Sequence, residues 1–219
     1  MKHVNNYQRI LVSGLLFVLI LVMLIAASKG SYKILVADLF SQNLNVLQKT
    51  VLFDIRLPRV LLAAFVGASL SLSGACLQGL FRNPLADPGL IGVSAGAALG
   101  ATTYIVVGSN WLPNFLIGPY LLPISSIIGS ALVIVVLFFI TRGFGKEGIT
   151  YLLLAGIAVN AFAGVGIGFL TYISDDSELR GLTFWTMGSF GGSNWSTIGI
   201  AMLVIFLTSI WIIRDGRQL

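Results

Sequence analysis

The chain has 219 residues, of which 57% are apolar and only 10% are charged, whereas an ordinary soluble domain has roughly 25% charged residues. Its thirteen basic residues are spread thinly between hydrophobic runs, which excludes the basic stripe that binds a nucleic-acid backbone. The single cysteine, Cys76, excludes a disulfide framework and a CxxC site, and twenty-five glycines in so apolar a chain are typical of helices that pack in lipid.

Six hydrophobic runs are long enough to cross a bilayer, and all are predicted to be helices because lipid leaves strand edges unpaired. The first run follows Lys2 and Arg9 but is longer than the apolar region of a signal peptide, so we interpret it as a retained span. The sequence therefore predicts an all-α polytopic membrane helix bundle, forming one domain with spans at about 10–27, 58–81, 90–107, 120–140, 149–173 and 197–213.

The long connection between the first two spans, residues 28–57, alternates apolar and charged residues and predicts one or two short amphipathic helices on the membrane surface. Lysine and arginine otherwise concentrate in segments that become cytoplasmic when both termini are placed inside, which is the orientation we expect. Five basic residues in the first outer loop and just inside the second span break that pattern and require another explanation: Lys29, Lys33, Lys49, Arg56 and Arg59.

Small residues recur every four positions in the second, third and fifth spans, and such residues share one helix face. Faces of this kind allow close helix contact. They indicate either a tightly packed bundle or the lining of a pathway. The glycines predicted to serve helix packing are Gly67, Gly79, Gly92, Gly96, Gly100, Gly156, Gly164 and Gly168.

Asn160 is the polar residue nearest the middle of a span, where an unpaired amide costs several kcal/mol. It is expected either to form an interhelical hydrogen bond or to line a pore. The spans hold no Asp, Glu, Lys or His at depth, although ion-coupled carriers commonly place such residues there. The sequence also lacks a GxxxxGK[ST] phosphate-binding loop, so any ATP would be hydrolysed by another chain.

A GxSxG pattern at Gly92–Gly96 raises the alternative of a serine hydrolase. A nucleophilic serine needs a base within hydrogen-bond reach, yet the only histidine, His3, precedes the first span. We therefore predict no catalytic residue, no metal site and no cofactor, and interpret Ser94 as a packing or pathway residue.

A long gapped signature resembles the permease subunits of bacterial iron-siderophore, haem and vitamin B12 ABC importers. It comprises Arg56-Leu-Pro-Arg59, Asn83-Pro-Leu-Ala-Asp-Pro-Gly-Leu-Ile-Gly92 and, further on, Phe184-Trp-Thr-Met-Gly-Ser-Phe-Gly-Gly192. The resemblance implies a type II importer in the bacterial inner membrane, with a second permease copy or paralogue, a cytoplasmic ABC ATPase and an extracytoplasmic substrate-binding protein as partners. It implies that Arg56 and Arg59 dock the binding protein, with ordinary interfacial anchoring as the alternative. It also implies that Asn83 and Leu85 narrow the cytoplasmic end of the pathway, with a plain helix cap as the alternative.

Members of that family usually have ten spans, whereas this sequence stops after the sixth, before the helices expected to dock into the ATPase. We expect a truncated product, a fragment or a split gene. The alternative to transport is a non-transporting membrane scaffold or an inactive permease. The amino-acid sequence around Trp185 favours haem slightly over a siderophore or vitamin B12 as cargo.

Overall fold

The computed structural model describes residues 6–32, 34, 44–108, 118–144 and 148–215, and within them all regular structure is helical. Two π-helical segments, Thr50–Arg56 and Tyr104–Gly108, and a 3-10 turn at Pro88–Ile91 interrupt the α-helices. The α-helices are α1 (Asn6–Ser28), α2 (Val46–Lys49), α3 (Leu57–Phe81), α4 (Val93–Thr103), α5 (Gly118–Thr141), α6 (Gly148–Ile173), α7 (Asp176–Met187) and α8 (Trp195–Asp215).

Four helical stretches are long and apolar enough to cross a membrane, and at most 11% of their most apolar windows is buried inside the chain. Apolar side chains that face outward over such lengths need lipid or protein around them, because water would oppose their exposure. Two shorter apolar helices, Val93–Gly108 and Ile198–Arg214, coincide with the third and sixth predicted spans. The all-α membrane fold is thus confirmed, and the division into six spans stays a prediction.

In its described part, the connection before the second span does not form the separate surface helix that the sequence predicted. Instead of a separate surface helix, α2, the first π-helical segment and α3 form one continuous helix, Val46–Phe81. Pro58 lacks an N–H and would disturb a regular α-helix, but the wider π-helical turn directly before it takes up the mismatch, with the Leu57 N–H bonded to the Leu52 carbonyl. The remainder of the connection, apart from residue 34, lies outside the described residues between 32 and 44.

The chain divides into two compact units, residues 1–70 with 190–214 and residues 71–189 with 215–219. In the first unit, a small buried cluster joins the end of α1 to the helix that follows it. Its members are Ala27, Ile34 and Leu52, with Leu44 and Val51 packed at its edge. This cluster fixes the last turn of α1 beside the π-helical segment.

In the second unit, α4 packs closely against α5 through glycines. A Cβ atom added to Gly96, Gly100 or Gly129 would approach backbone atoms of the opposite helix closer than 3.0 Å. Gly96 faces Val133, whereas Gly100 faces Ser125, so the two helices run antiparallel. Only residues without a side chain permit this separation.

The same unit places α4 parallel to α6. A Cβ at Gly92 would lie 3.2 Å from the Val159 side chain, and a Cβ at Gly166 would lie 2.9 Å from Leu99. The two contacts are seven residues apart on both helices, so the helices advance together. The directions of α4, α5 and α6 therefore alternate, as they must in consecutive helices that cross a membrane.

The eight glycines predicted to serve helix packing fall into two groups. At Gly92, Gly96, Gly100 and Gly156, an added Cβ atom would lie within 3.3 Å of backbone or side-chain atoms of a neighbouring element. A Cβ atom added at Gly67, Gly79, Gly164 or Gly168 would meet no atom of another described element within 4 Å, so a packing role for them stays a prediction.

Candidate functional site

The connector, residues 82–92 between α3 and α4, carries the predicted gate residues. At its start, two backbone hydrogen bonds end α3. The Arg82 N–H donates to the Gly79 carbonyl and the Asn83 N–H donates to the Gln78 carbonyl, at 3.2 Å each. Arg82 has a φ of 49°, the left-handed conformation that ends helices in this way and that usually selects glycine. The chain therefore leaves α3 in a defined direction.

Side chains then hold the first half of the connector. The Asn83 Oδ1 accepts the Leu85 N–H at 2.9 Å, and the Gln78 Nε2 donates to the Pro84 carbonyl at 3.1 Å. These bonds fix a compact turn from which Leu85 projects, with 84% of its surface exposed. A rigid turn that presents an exposed apolar tip is suited to the predicted narrowing of a pathway, which stays a prediction.

The second half of the connector rests against α6. The Asn160 Nδ2 donates to the carbonyl oxygens of Gly89 and Leu90, at 3.1 and 3.4 Å. Gly156, one turn earlier on α6, has no side chain to obstruct this approach, since its Cβ would lie 2.9 Å from the Ile91 Cα. Asn160 therefore has the hydrogen-bond partners that desolvation demands, and its lining of a pathway stays a prediction.

Ser94 is the second residue of α4 and is exposed. It follows Gly92, whose φ of 88° ends the 3-10 turn and starts α4. His3, the histidine considered as a base, lies outside the described residues. A pathway role for Ser94 stays a prediction.

Arg56, one of the two residues predicted to dock a partner protein, is held by backbone carbonyls near the end of α1. The resemblance predicts that it faces a partner protein, but only 9% of it is exposed. Its Nη1 donates to the carbonyls of Ala27 and Ser28 at 3.0 and 2.9 Å, and its Nη2 donates to that of Tyr32. These groups include the unpaired carbonyls at the negative end of the α1 dipole. Arg56 thus caps the C-terminal end of α1, and its docking role stays a prediction.

The guanidinium of Arg56 reaches these carbonyls because Gly30 leaves room for it. A Cβ at Gly30 would lie 2.9 Å from the Arg56 Cζ. Arg59, three residues further along the helix, is exposed. Of the two predicted docking residues, Arg59 alone is therefore available at the surface.

Trp195 forms a contact that sequence reasoning did not find. Its indole Nε1 donates to the Phe53 carbonyl at 2.9 Å, which ties the start of α8 to the π-helical segment of the same unit. Tryptophan is enriched at membrane interfaces, where its ring is apolar and its N–H still finds an acceptor. The tryptophan itself indicates an interfacial residue, but its partner lies 142 residues earlier in the sequence, so the sequence alone did not identify it.

A cavity of about 880 Å³ lies between α4, α5 and α6. The Thr103 and Ser125 hydroxyls in its wall donate to carbonyls of their own helices, at 2.7 and 2.8 Å. The wall therefore offers mainly apolar contact, and nothing in the structure shows what covers it.

The segment between α6 and α8 contains a well-capped helix. The Asp175 Oδ1 accepts the N–H groups of Glu178 and Ser177 at 2.8 and 2.9 Å, and the Glu178 carboxylate accepts the Asp175 N–H at 3.1 Å. The bond from the Glu178 N–H, followed by that from the Ser177 hydroxyl, lowers the pKa of Asp175 from its ordinary value. This cap starts α7, which carries the residues leading to the Gly191-Gly192 turn.

Comparison with known proteins places this arrangement in context. The model of the FecCD transport family matches residues 15–219. The hemin transport system permease protein HmuU of Yersinia pestis is 42% identical over 96% of this chain and 62% of its own length. The vitamin B12 import system permease protein BtuC of Escherichia coli O127:H6 is 34% identical over 92% of this chain and 58% of its own.

A solved structure described as an inward-facing conformation of a metal-chelate type ABC transporter is also similar. It shares 32% sequence identity and a TM-score of 0.78 over 94% of this chain and 61% of the solved chain. The present chain thus spans about three fifths of the length of the curated relatives it matches.

Proposed function

The chain belongs to the FecCD transport family, and we propose that it forms part of the transmembrane permease of an ATP-driven importer. The cargo is an iron chelate, either a siderophore or haem, or vitamin B12. The observation that carries the proposal is the family match across residues 15–219. It is supported by the 42% identity to a hemin permease, which exceeds the 34% identity to a vitamin B12 permease and favours haem.

The proposed mechanism is alternating access without covalent chemistry in this chain. The six apolar runs hold no Asp, Glu, Lys or His at depth, so a bulky cargo would move along a mostly neutral surface. ATP is hydrolysed by a cytoplasmic partner. That partner shifts the balance between inward- and outward-open states because it binds the two states with different affinities.

Docking of the substrate-binding protein is assigned mainly to Arg59, because Arg59 is exposed whereas only 9% of Arg56 is. Lys49, ten residues earlier on the same continuous helix, is also exposed. An exposed guanidinium pairs with carboxylates in a bidentate manner, and a positive surface steers an acidic partner into place. A second permease copy or paralogue completes the proposed assembly in the bacterial inner membrane, with both termini in the cytoplasm.

Complementation tests this function in cells that lack their own haem, siderophore and vitamin B12 permeases. The full-length gene is expressed with its ATPase and binding protein, and growth is scored on each cargo as the sole iron or cobalamin source. Growth on haem is expected. Correctly inserted protein that restores growth on none of the three cargoes would favour the alternative, a non-transporting scaffold.

A further inference from the structure

The connector contacts α6 at the middle of that helix. Asn160 is the thirteenth of the 26 residues of α6, or about 18 Å along the axis from Gly148 at 1.5 Å per residue. The whole helix measures about 39 Å, more than the roughly 30 Å of a hydrocarbon core. The 3-10 turn at Pro88–Ile91, which Asn160 holds, therefore lies at membrane depth.

The register between α4 and α6 places the turn at the same depth in the membrane. Gly92, directly after the turn, is level with Val159, and Leu99 is level with Gly166. Since α4 and α6 advance together, α4 starts about 18 Å beyond the start of α6. Irregular backbone at such depth is tolerated only where protein covers it or where it lines a water-filled cavity.

Both ends of the connector are attached to a helix. Gln78 of α3 holds the Pro84 carbonyl, and Asn160 of α6 holds those of Gly89 and Leu90. Within the connector, the side chains of Asn83 and Asp87 each accept a hydrogen bond from the backbone N–H two residues further on. Because the intervening turn is stiffened in this way, its exposed tip, Leu85, follows displacements of its two attachments.

We propose that Asn160 is a positioning residue that latches the connector to the middle of α6. A shift of α6 relative to the end of α3 then moves the Asn83–Leu85 turn and changes the opening that the turn controls. The control of that opening rests on the proposed function. Gly156 is the second part of the latch, because only a residue without a side chain lets the Leu90 and Ile91 backbone come within reach of the Asn160 amide.

The test measures how readily position 85 reacts, in the full-length protein in inside-out membrane vesicles. Cys76, the one native thiol, is replaced by alanine, Leu85→Cys is introduced, and labelling by a membrane-impermeant maleimide is timed. Asn160→Leu removes the amide, whereas Gly156→Ala keeps the amide and pushes the turn away. Each is expected to change the labelling rate about three- to tenfold, the range given by one interhelical polar contact in a membrane.

Two matched variants on α6 serve as controls. Thr171→Val removes a hydroxyl that bonds within its own helix, to the Ile167 carbonyl, and Gly164→Ala adds a methyl group into open space. Neither is expected to change the rate. Unchanged labelling in both Asn160→Leu and Gly156→Ala, or an equal change in the controls, would overturn the latch.

The measurement needs no cargo, ATPase or binding protein, so the two proposals can fail separately. Loss of transport function with a latch-dependent labelling rate would remove the proposed importer and leave the latch. Normal transport with latch-independent labelling would remove the latch alone.

Discussion

Replacing Arg56 with alanine is expected to destabilise the first unit, because the substitution leaves three backbone carbonyls without their charged donor. Hydrogen bonds to charged groups contribute about 1.5–3 kcal/mol each, and the set is not additive. A net loss of about 2–4 kcal/mol follows. In a chain of this length that corresponds to a fall in Tm of about 4–16 °C, measured by size-exclusion chromatography of heated detergent-solubilised protein.

The matched control is Arg59→Ala, three residues further along the same helix and exposed. A surface substitution of this kind changes stability by about 0.5 kcal/mol or less, so its Tm should stay within about 2 °C of the parent. Equal melting of the parent and Arg56→Ala would refute the reasoning. So would a loss of binding-protein affinity in Arg56→Ala without any loss of stability.

Three further predictions concern the rest of the molecule. Arg59→Glu should weaken binding-protein docking at low salt by at least about tenfold, because like charges across an interface cost several kcal/mol; unchanged affinity in surface plasmon resonance would reject the docking role. Gly129→Ala should lower stability by about 1–3 kcal/mol by overpacking α4 against α5, whereas Gly168→Ala, which adds its methyl group into open space, should not; equal melting of the two would contradict the helix contact. The pKa of Asp175 is lowered from 3.8, so its contribution to the α7 cap is present above that value and is lost as pH falls through the lowered pKa. The protection factor of the amides at the start of α7, which corrects for the intrinsic exchange rate, should fall on acidification in that range, and Asp175→Asn should reduce this dependence while keeping a capping side chain.

Hydropathy was sufficient to place the apolar helices, because lipid imposes length and composition on every span. It failed before Pro58, where charged residues lower the average although Val46–Phe81 is one helix. The polar face of that segment is typical of a surface helix, and nothing in its composition indicates that it continues into the next span.

The sequence indicated which residues of the site matter, but it did not indicate which groups they contact. The positive-inside pattern identified Arg56 as out of place, but a charge pattern cannot show whether a guanidinium meets a partner or a carbonyl 28 residues earlier. Asn160 was known to need a partner, and that partner proved to be backbone 71 residues earlier in the sequence. Gly129 was missed because its contribution depends on which face of α5 meets Gly96.

ATP-dependent uptake of haemin into proteoliposomes tests the importer most directly. The full-length protein is reconstituted with its ATPase and binding protein, and accumulated haemin is measured with ATP and with a non-hydrolysable analogue. Accumulation with ATP alone, reduced by Arg59→Glu, is the predicted result. Uptake of neither haemin, a ferric siderophore nor vitamin B12 above the analogue control, with an active ATPase present, would contradict the account.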